Sequence, residues 1–185
     1  MALANNVRTC SKNVSGNRKE IYIASSGTAT VLEETAGEIT TLTAAADSFK
    51  RVEADIDSLQ ITTEGAFSTS GGYTQNLAIG LSMPSTALNT LIDELTDGVA
   101  CGFEIIWIDG NAKVWLAGVS VASKEGSARP FNKLATSFDS GIVMTDEGMQ
   151  KETLTFTRVT SVRPVRIQDL IAATITLKTA AFIDW

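Results

Sequence analysis

A mainly β fold with one short helix is what this 185-residue chain predicts, and three observations carry the prediction. Thr, Val, Ile, Ala and Gly are abundant while helical runs are few, a composition that favours strands. Residues 73–83 place Leu77, Ile79, Leu81 and Met83 in alternation with smaller or more polar side chains, the period of a half-buried strand. Two apolar runs, 99–108 and 112–121, flank Asp109-Gly110-Asn111, a hairpin signal in which the glycine precedes the asparagine rather than following it.

The elements follow in order. Residues 1–19 are polar and read either as a frayed terminus or as an arm that folds against a neighbouring subunit. Arg8, Lys12, Arg18 and Lys19 make this arm the main basic patch of an acidic chain, a charge asymmetry that would direct docking onto an acidic neighbour. Residues 20–24 form a short strand, 25–37 a loop interrupted by an apolar stretch at 29–32, and 39–43 another strand. Over 49–64 the alternation slips at Ile56, which predicts one long strand with a bulge or bend. Such a strand is costly as a free edge and invites pairing with another chain. Residues 65–72 read as a flexible turn.

Pro84 has no N–H to give and ends the 73–83 strand. Ser85 is a natural N-cap, and Ala87, Leu88, Leu91, Ile92 and Leu95 share one face of a helix at about 85–97 that Gly98 closes. A helix of this length needs tertiary packing to persist in water, and Leu88, Leu91, Ile92 and Leu95 form its core face. Beyond the hairpin, 123–136 reads as a long loop, 137–144 as a short strand, 146–148 as a turn and 152–159 as a strand with Leu154 and Phe156 in phase. A last β-like run covers 171–177. The apolar end, Phe182 to Trp185, packs either on its own core or on an adjacent subunit.

Hydrophobic content of 44 % with 19 % charged residues points to one folded domain rather than a disordered chain. A net charge of −6 disfavours non-specific binding of nucleic acid by the whole surface. Cys10 and Cys101 are too few for a disulfide scaffold and lack metal spacing; Cys101 reads as a small core residue of an apolar strand. Neither a secretory leader nor an apolar run long enough for a membrane span is legible.

Catalytic chemistry is poorly served. The chain has no histidine, which removes the usual triads, most zinc sites and the commonest general base. Residues 70–72 lack the lysine and spacing of a phosphate loop. Asp93, Glu94 and Asp97 read as a solvated helix face, and Asp109-Gly110-Asn111 lacks the further acidic ligands of a calcium loop. Trp107 and Trp115 face each other across the hairpin, as buried residues or as a platform for stacking sugars. No enzyme activity, metal or cofactor is expected.

One resemblance adds to this reading. The order of an alternating strand, the helix STALNTLIDELTDG, the hairpin FEIIWIDGNAKVWLAGV, a glycine-bearing loop and a terminal LTFTRV strand resembles the major tail tube proteins of tailed bacteriophages, of the type found in Bacteroidetes phages. Residues 10–16 and 20–24 resemble that family's opening, and the likeness extends over 10–167. It implies an N-terminal arm (1–19), a tail-tube-type β-sandwich with one flanking helix (20–167) and a C-terminal extension of open role (168–185). It further implies a structural virion protein whose homohexameric rings stack into the hollow tail tube that conducts DNA into the host cell. The partners would be further copies of itself, a tape-measure protein, a tail terminator and baseplate or tip proteins, with DNA passing through without specific binding and no membrane involved. The location implied is the virion tail, after synthesis and assembly in the bacterial cytoplasm. Asp55, Asp57 and Glu64 are the candidate acidic residues of the lumen, and Arg8, Lys12, Arg18 and Lys19 the candidate contacts between neighbours. The rival readings are another ring protein of the head–tail junction or tail terminus and, from a different class, a β-sandwich carbohydrate-binding module.

Overall fold

A computed structural model describes residues 17–35, 38–44, 49–55, 58–66, 72–82, 86–120, 129–139, 151–161, 163–167 and 182–184. Among them the chain is mainly β with one helix. The strands are β1 (Asn17–Ser25), β2 (Ala29–Thr35), β3 (Glu38–Ala44), β4 (Phe49–Glu53), β5 (Gln60–Ala66), β6 (Gly72–Ser82), β7 (Phe103–Asp109), β8 (Val114–Ala117), β9 (Lys133–Asp139), β10 (Lys151–Thr160), β11 (Val165–Ile167) and β12 (Phe182–Asp184). An eight-stranded sheet has the order β12-β4-β1-β7-β8-β11-β3-β2, and a four-stranded sheet the order β5-β6-β10-β9.

The large sheet is built around β7 (Phe103–Asp109), which pairs antiparallel with β1 (Asn17–Ser25) on one side and β8 (Val114–Ala117) on the other. Phe103 to Ile108 are all buried, as expected of a strand covered on both faces, whose sequence is an apolar run, here broken only by Glu104. Ile105 and Trp107 turn toward the small sheet, and Ile106 and Ile108 join a second cluster on the opposite face with Tyr22, Ile39, Leu42, Phe49, Leu116, Val165 and Ile167. β2 (Ala29–Thr35) and β3 (Glu38–Ala44) form a hairpin at one flank, and β11 (Val165–Ile167) links it to the rest of the sheet, pairing parallel with β3 and antiparallel with β8. At the other flank β12 (Phe182–Asp184) runs parallel to β4 (Phe49–Glu53). The end of the chain therefore returns to its own sheet.

The small sheet pairs β5 (Gln60–Ala66), β6 (Gly72–Ser82), β10 (Lys151–Thr160) and β9 (Lys133–Asp139), antiparallel throughout. Leu77, Ile79, Leu81, Leu154 and Phe156 are its core-facing row, packed with Ile21, Ile23, Ile105 and Trp107 of the large sheet. α1 (Thr86–Gly98) closes this core with Leu91 and Leu95, each 4 % exposed, flanked by the partly buried Leu88 and Ile92. The helical face expected from the sequence is the one that is buried.

Several boundaries differ from expectation. Residues 49–64 are two strands in two sheets, not one long strand. Val52 and Ala54 face the core, and so do Leu59 and Ile61, which have the opposite parity. No single straight strand can bury both pairs, so the chain turns a corner. Asp55 N–H donates to the Gly80 carbonyl (2.8 Å), and Ser58 Oγ lies 2.8 Å from the Asp55 carbonyl and 3.1 Å from that of Gly80, pinning the corner to β6.

Gly98 is the last helical residue, but the left-handed position is Gly102 (φ +84°), reached through a turn over 99–101. A Cβ on Gly102 would stand 2.5 Å from Pro130 Cγ, so this residue both reverses the chain and admits the neighbouring segment. Cys101 lies exposed in that turn, not in a buried strand. The loop expected over 123–136 gives way to β9 from Lys133, and the strand expected over 137–144 begins earlier, within β9. Arg18 and Lys19 belong to β1, so the ordered sheet takes in part of the expected arm. Arg8, Lys12, Ser85, the turn at 146–148 and the run at 171–177 lie outside the described residues.

Candidate assembly surface

The face of the small sheet turned away from the core is made by the alternate residues of each strand. β5 contributes Gln60, Thr62 and Glu64; β6 contributes Thr74, Asn76 and Ala78. β10 adds Lys151, Thr153, Thr155, Thr157 and Val159, and β9 adds Lys133, Ala135, Ser137 and Asp139. The register aligns Thr62, Asn76, Thr157 and Lys133 in one row across all four strands. Within it Thr157 Oγ1 donates to Asn76 Oδ1 at 2.8 Å, a cross-strand pair of the kind that fixes register. Hydroxyl, amide and methyl groups dominate, and the described charges balance, with Glu64 and Asp139 against Lys133 and Lys151. Among the described residues, Val159, 50 % exposed, is the one exposed large apolar side chain on this face.

Among the described strands, β5 and β9 are the outer ones of this sheet. On the core-facing side of β9, Leu134 is partly buried, while Phe138 at the far end is 54 % exposed.

The residues singled out from the sequence do not form one cluster. Glu64 lies exposed on the outward face of β5, Asp55 sits in the corner between the sheets, and Asp57 lies outside the described residues. Trp107 and Trp115 do pair across the hairpin. Trp107, however, is 5 % exposed and Trp115 Nε1 donates to Asp109 Oδ2 at 3.0 Å. Their ring faces are not arranged as an open platform.

Asp109 organises the whole turn. Its Oδ1 also accepts N–H bonds from Asn111 and Lys113, at 2.8 and 2.9 Å. The Ala112 N–H donates to the Asp109 carbonyl, and Ala112 takes the left-handed conformation (φ 59°) before Lys113 pairs back to Asp109. This is a three-residue hairpin loop with alanine where glycine is usual.

Two buried polar groups escaped sequence reasoning because both lie inside apolar strand patterns. Glu104, 1 % exposed, accepts the backbone N–H bonds of Gly27 (2.6 Å) and Ala29 (2.8 Å) and so holds the β1–β2 turn. Burial raises its pKa above the ordinary value, against the opposing pull of the Ala29, Gly27 and Thr28 amides. Arg158, also 1 % exposed, donates through Nε to Gln75 Oε1 and through an Nη to the Arg129 carbonyl (2.8 Å). Its guanidinium lies 5.2 Å from the Phe131 ring centroid. Desolvation lowers its pKa to about 10, so it remains a cation at neutral pH. Both networks tie segments together inside the fold; neither places a nucleophile or a base beside an open cleft.

Among the described residues no group of three or more Cys, Asp or Glu side chains is arranged to hold a metal ion, and no helix is long and apolar enough to cross a membrane. Comparison with protein-family models, with curated proteins and with solved structures gave no match.

Proposed function

We propose that this chain is a structural subunit that assembles into a tube, as the resemblance to phage tail tube proteins implies, and that the four-stranded sheet lines its lumen. The observation that carries the reading is the division of labour within that sheet. One face is sealed in the core. The other offers hydroxyl and amide groups with balanced charge, and outer strands flank it on both sides.

A sheet of this kind can extend from copy to copy by strand addition, which turns the liability of an exposed edge into the means of assembly. Closing the sheet around an axis leaves no edge within the ring. The polar face would then surround the channel. A lining of threonine, serine, asparagine and glutamine gives DNA phosphates no array of cations to bind, so a duplex can slide. Contacts between stacked rings are heterologous and open-ended, so length would be set by another protein, in this family a tape measure and a terminator. In this reading the protein is not an enzyme, needs no cofactor and resides in the virion tail.

Phe138 supplies a specific test. Replacing it with Ser should leave the melting temperature nearly unchanged, because the ring is half exposed in the single copy. It should sharply reduce assembly, because the incoming strand loses its anchor. Negative-stain microscopy of the purified protein across concentration is the accompanying experiment. Stacked rings support the proposal; isolated closed rings at every concentration favour a terminator or connector.

A further inference from the structure

The small sheet has an even number of strands alternating in direction, so its outer strands β5 and β9 run opposite ways. A rotation that carries one copy onto the next therefore sets β9 beside the neighbour's β5 in antiparallel sense. No reversal of the subunit is required, and the joint has the same hydrogen-bond pattern as the sheet itself.

A joint that continues the sheet extends the observed row into the next copy. Lys133 ends the row Thr62–Asn76–Thr157–Lys133, so it lands opposite the neighbour's Thr62. The next outward-facing residue on the neighbour's β5 is Glu64, a diagonal neighbour roughly 7–8 Å away between backbones and within reach of two long side chains. Lys133 and Glu64 are both exposed and both on the outward face, the only lysine and the only glutamate that the described parts of β9 and β5 offer there.

We infer that Lys133 of one copy and Glu64 of the next form an ion pair on the lumen face of each joint, and that this pair restricts the register in which copies join to those that keep the two charges adjacent. The inference rests on the proposed tube. A slip by one residue would turn Glu64 to the core side, a slip by two toward Gln60 would separate the charges, and a slip by two the other way would set them directly opposite, so the pair excludes the first two registers. The pair would also neutralise a lysine that otherwise faces DNA, removing one phosphate contact per subunit from the channel.

The test is a charge swap in the full-length protein, read by sedimentation and electron microscopy at low and high salt. Lys133→Glu alone and Glu64→Lys alone each place like charges at every joint and should lower ring yield by roughly tenfold or more. The double variant restores the pair and should restore assembly. An equal mixture of the two single variants should also assemble, because each copy then meets a complementary partner on both sides. Unchanged melting curves establish that the single copies fold. Single variants that assemble like the parent would overturn the ion pair while leaving the tube intact. So would a double variant and a mixture that both stay unassembled. A parent protein that forms neither rings nor tubes would refute the tube reading itself, and this inference with it.

Discussion

At Glu104 two demands oppose each other. The carboxylate is the acceptor for two backbone N–H groups of the β1–β2 turn, at 2.6 and 2.8 Å, yet desolvation is the largest influence on its pKa and raises it. Removing the acceptor leaves the buried Ala29 N–H and the part-buried Gly27 N–H without it, so Glu104→Ala should destabilise the fold by about 1–3 kcal/mol in urea unfolding. A folded pKa above the unfolded value means that the native state binds the proton more tightly between the two. Stability is therefore lost as pH rises through the folded value. Measured against Glu104→Gln, the parent should weaken as pH climbs from just below 4.5 toward neutrality; strengthening over that range would contradict the dominance of burial. Ala112 offers the opposite opportunity. Its φ of 59° is a strained conformation for a residue with a Cβ. Ala112→Gly should stabilise the hairpin by about 1 kcal/mol, visible as a higher melting temperature, and a lower one would mean that Asp109 already compensates the turn.

Among the elements, α1 and the central strands were the most legible in the sequence. The spacing of Leu88, Leu91, Ile92 and Leu95 marks one helical face, and that face packs on the interlayer core. Leu91→Ala should lose about 2–5 kcal/mol, read from denaturant midpoints; an unchanged midpoint would mean that the site collapses to fill the space. The period of two in Leu77, Ile79 and Leu81 gave β6 directly, because one face is dry and the other wet. The corner between β4 and β5 was harder. A parity change between Ala54 and Leu59 can mean a bulge within one strand or a transfer between sheets, and only the partner strands decide. Cys101 misled for a related reason: the apolar run that contains it continues into β7, but the turn set by Gly102 leaves its first residues outside the strand. Glu104 was illegible because its partners, Gly27 and Ala29, lie some 75 residues earlier in the chain.

For the whole molecule, composition and pattern carried the mainly β class, and the fold adds how the strands divide into an eight-stranded sheet whose central strand β7 is buried on both faces and a small sheet with one wet face. That division is not written in any local pattern. β5, β6, β10 and β9 come from three separate stretches of chain, and their shared outward face exists only after pairing. Hence Glu64 could be singled out from sequence, whereas Lys133 and Phe138 could not. The central claim is that this small sheet, joined edge to edge, forms the wall of a channel. Cryo-electron microscopy of assembled particles tests it most directly. The account predicts a hollow tube in which β5 of each subunit lies antiparallel to β9 of the next, with Thr62, Asn76, Thr157 and Lys133 facing the lumen. A tube whose lumen is lined by α1 or by the eight-stranded sheet would contradict it.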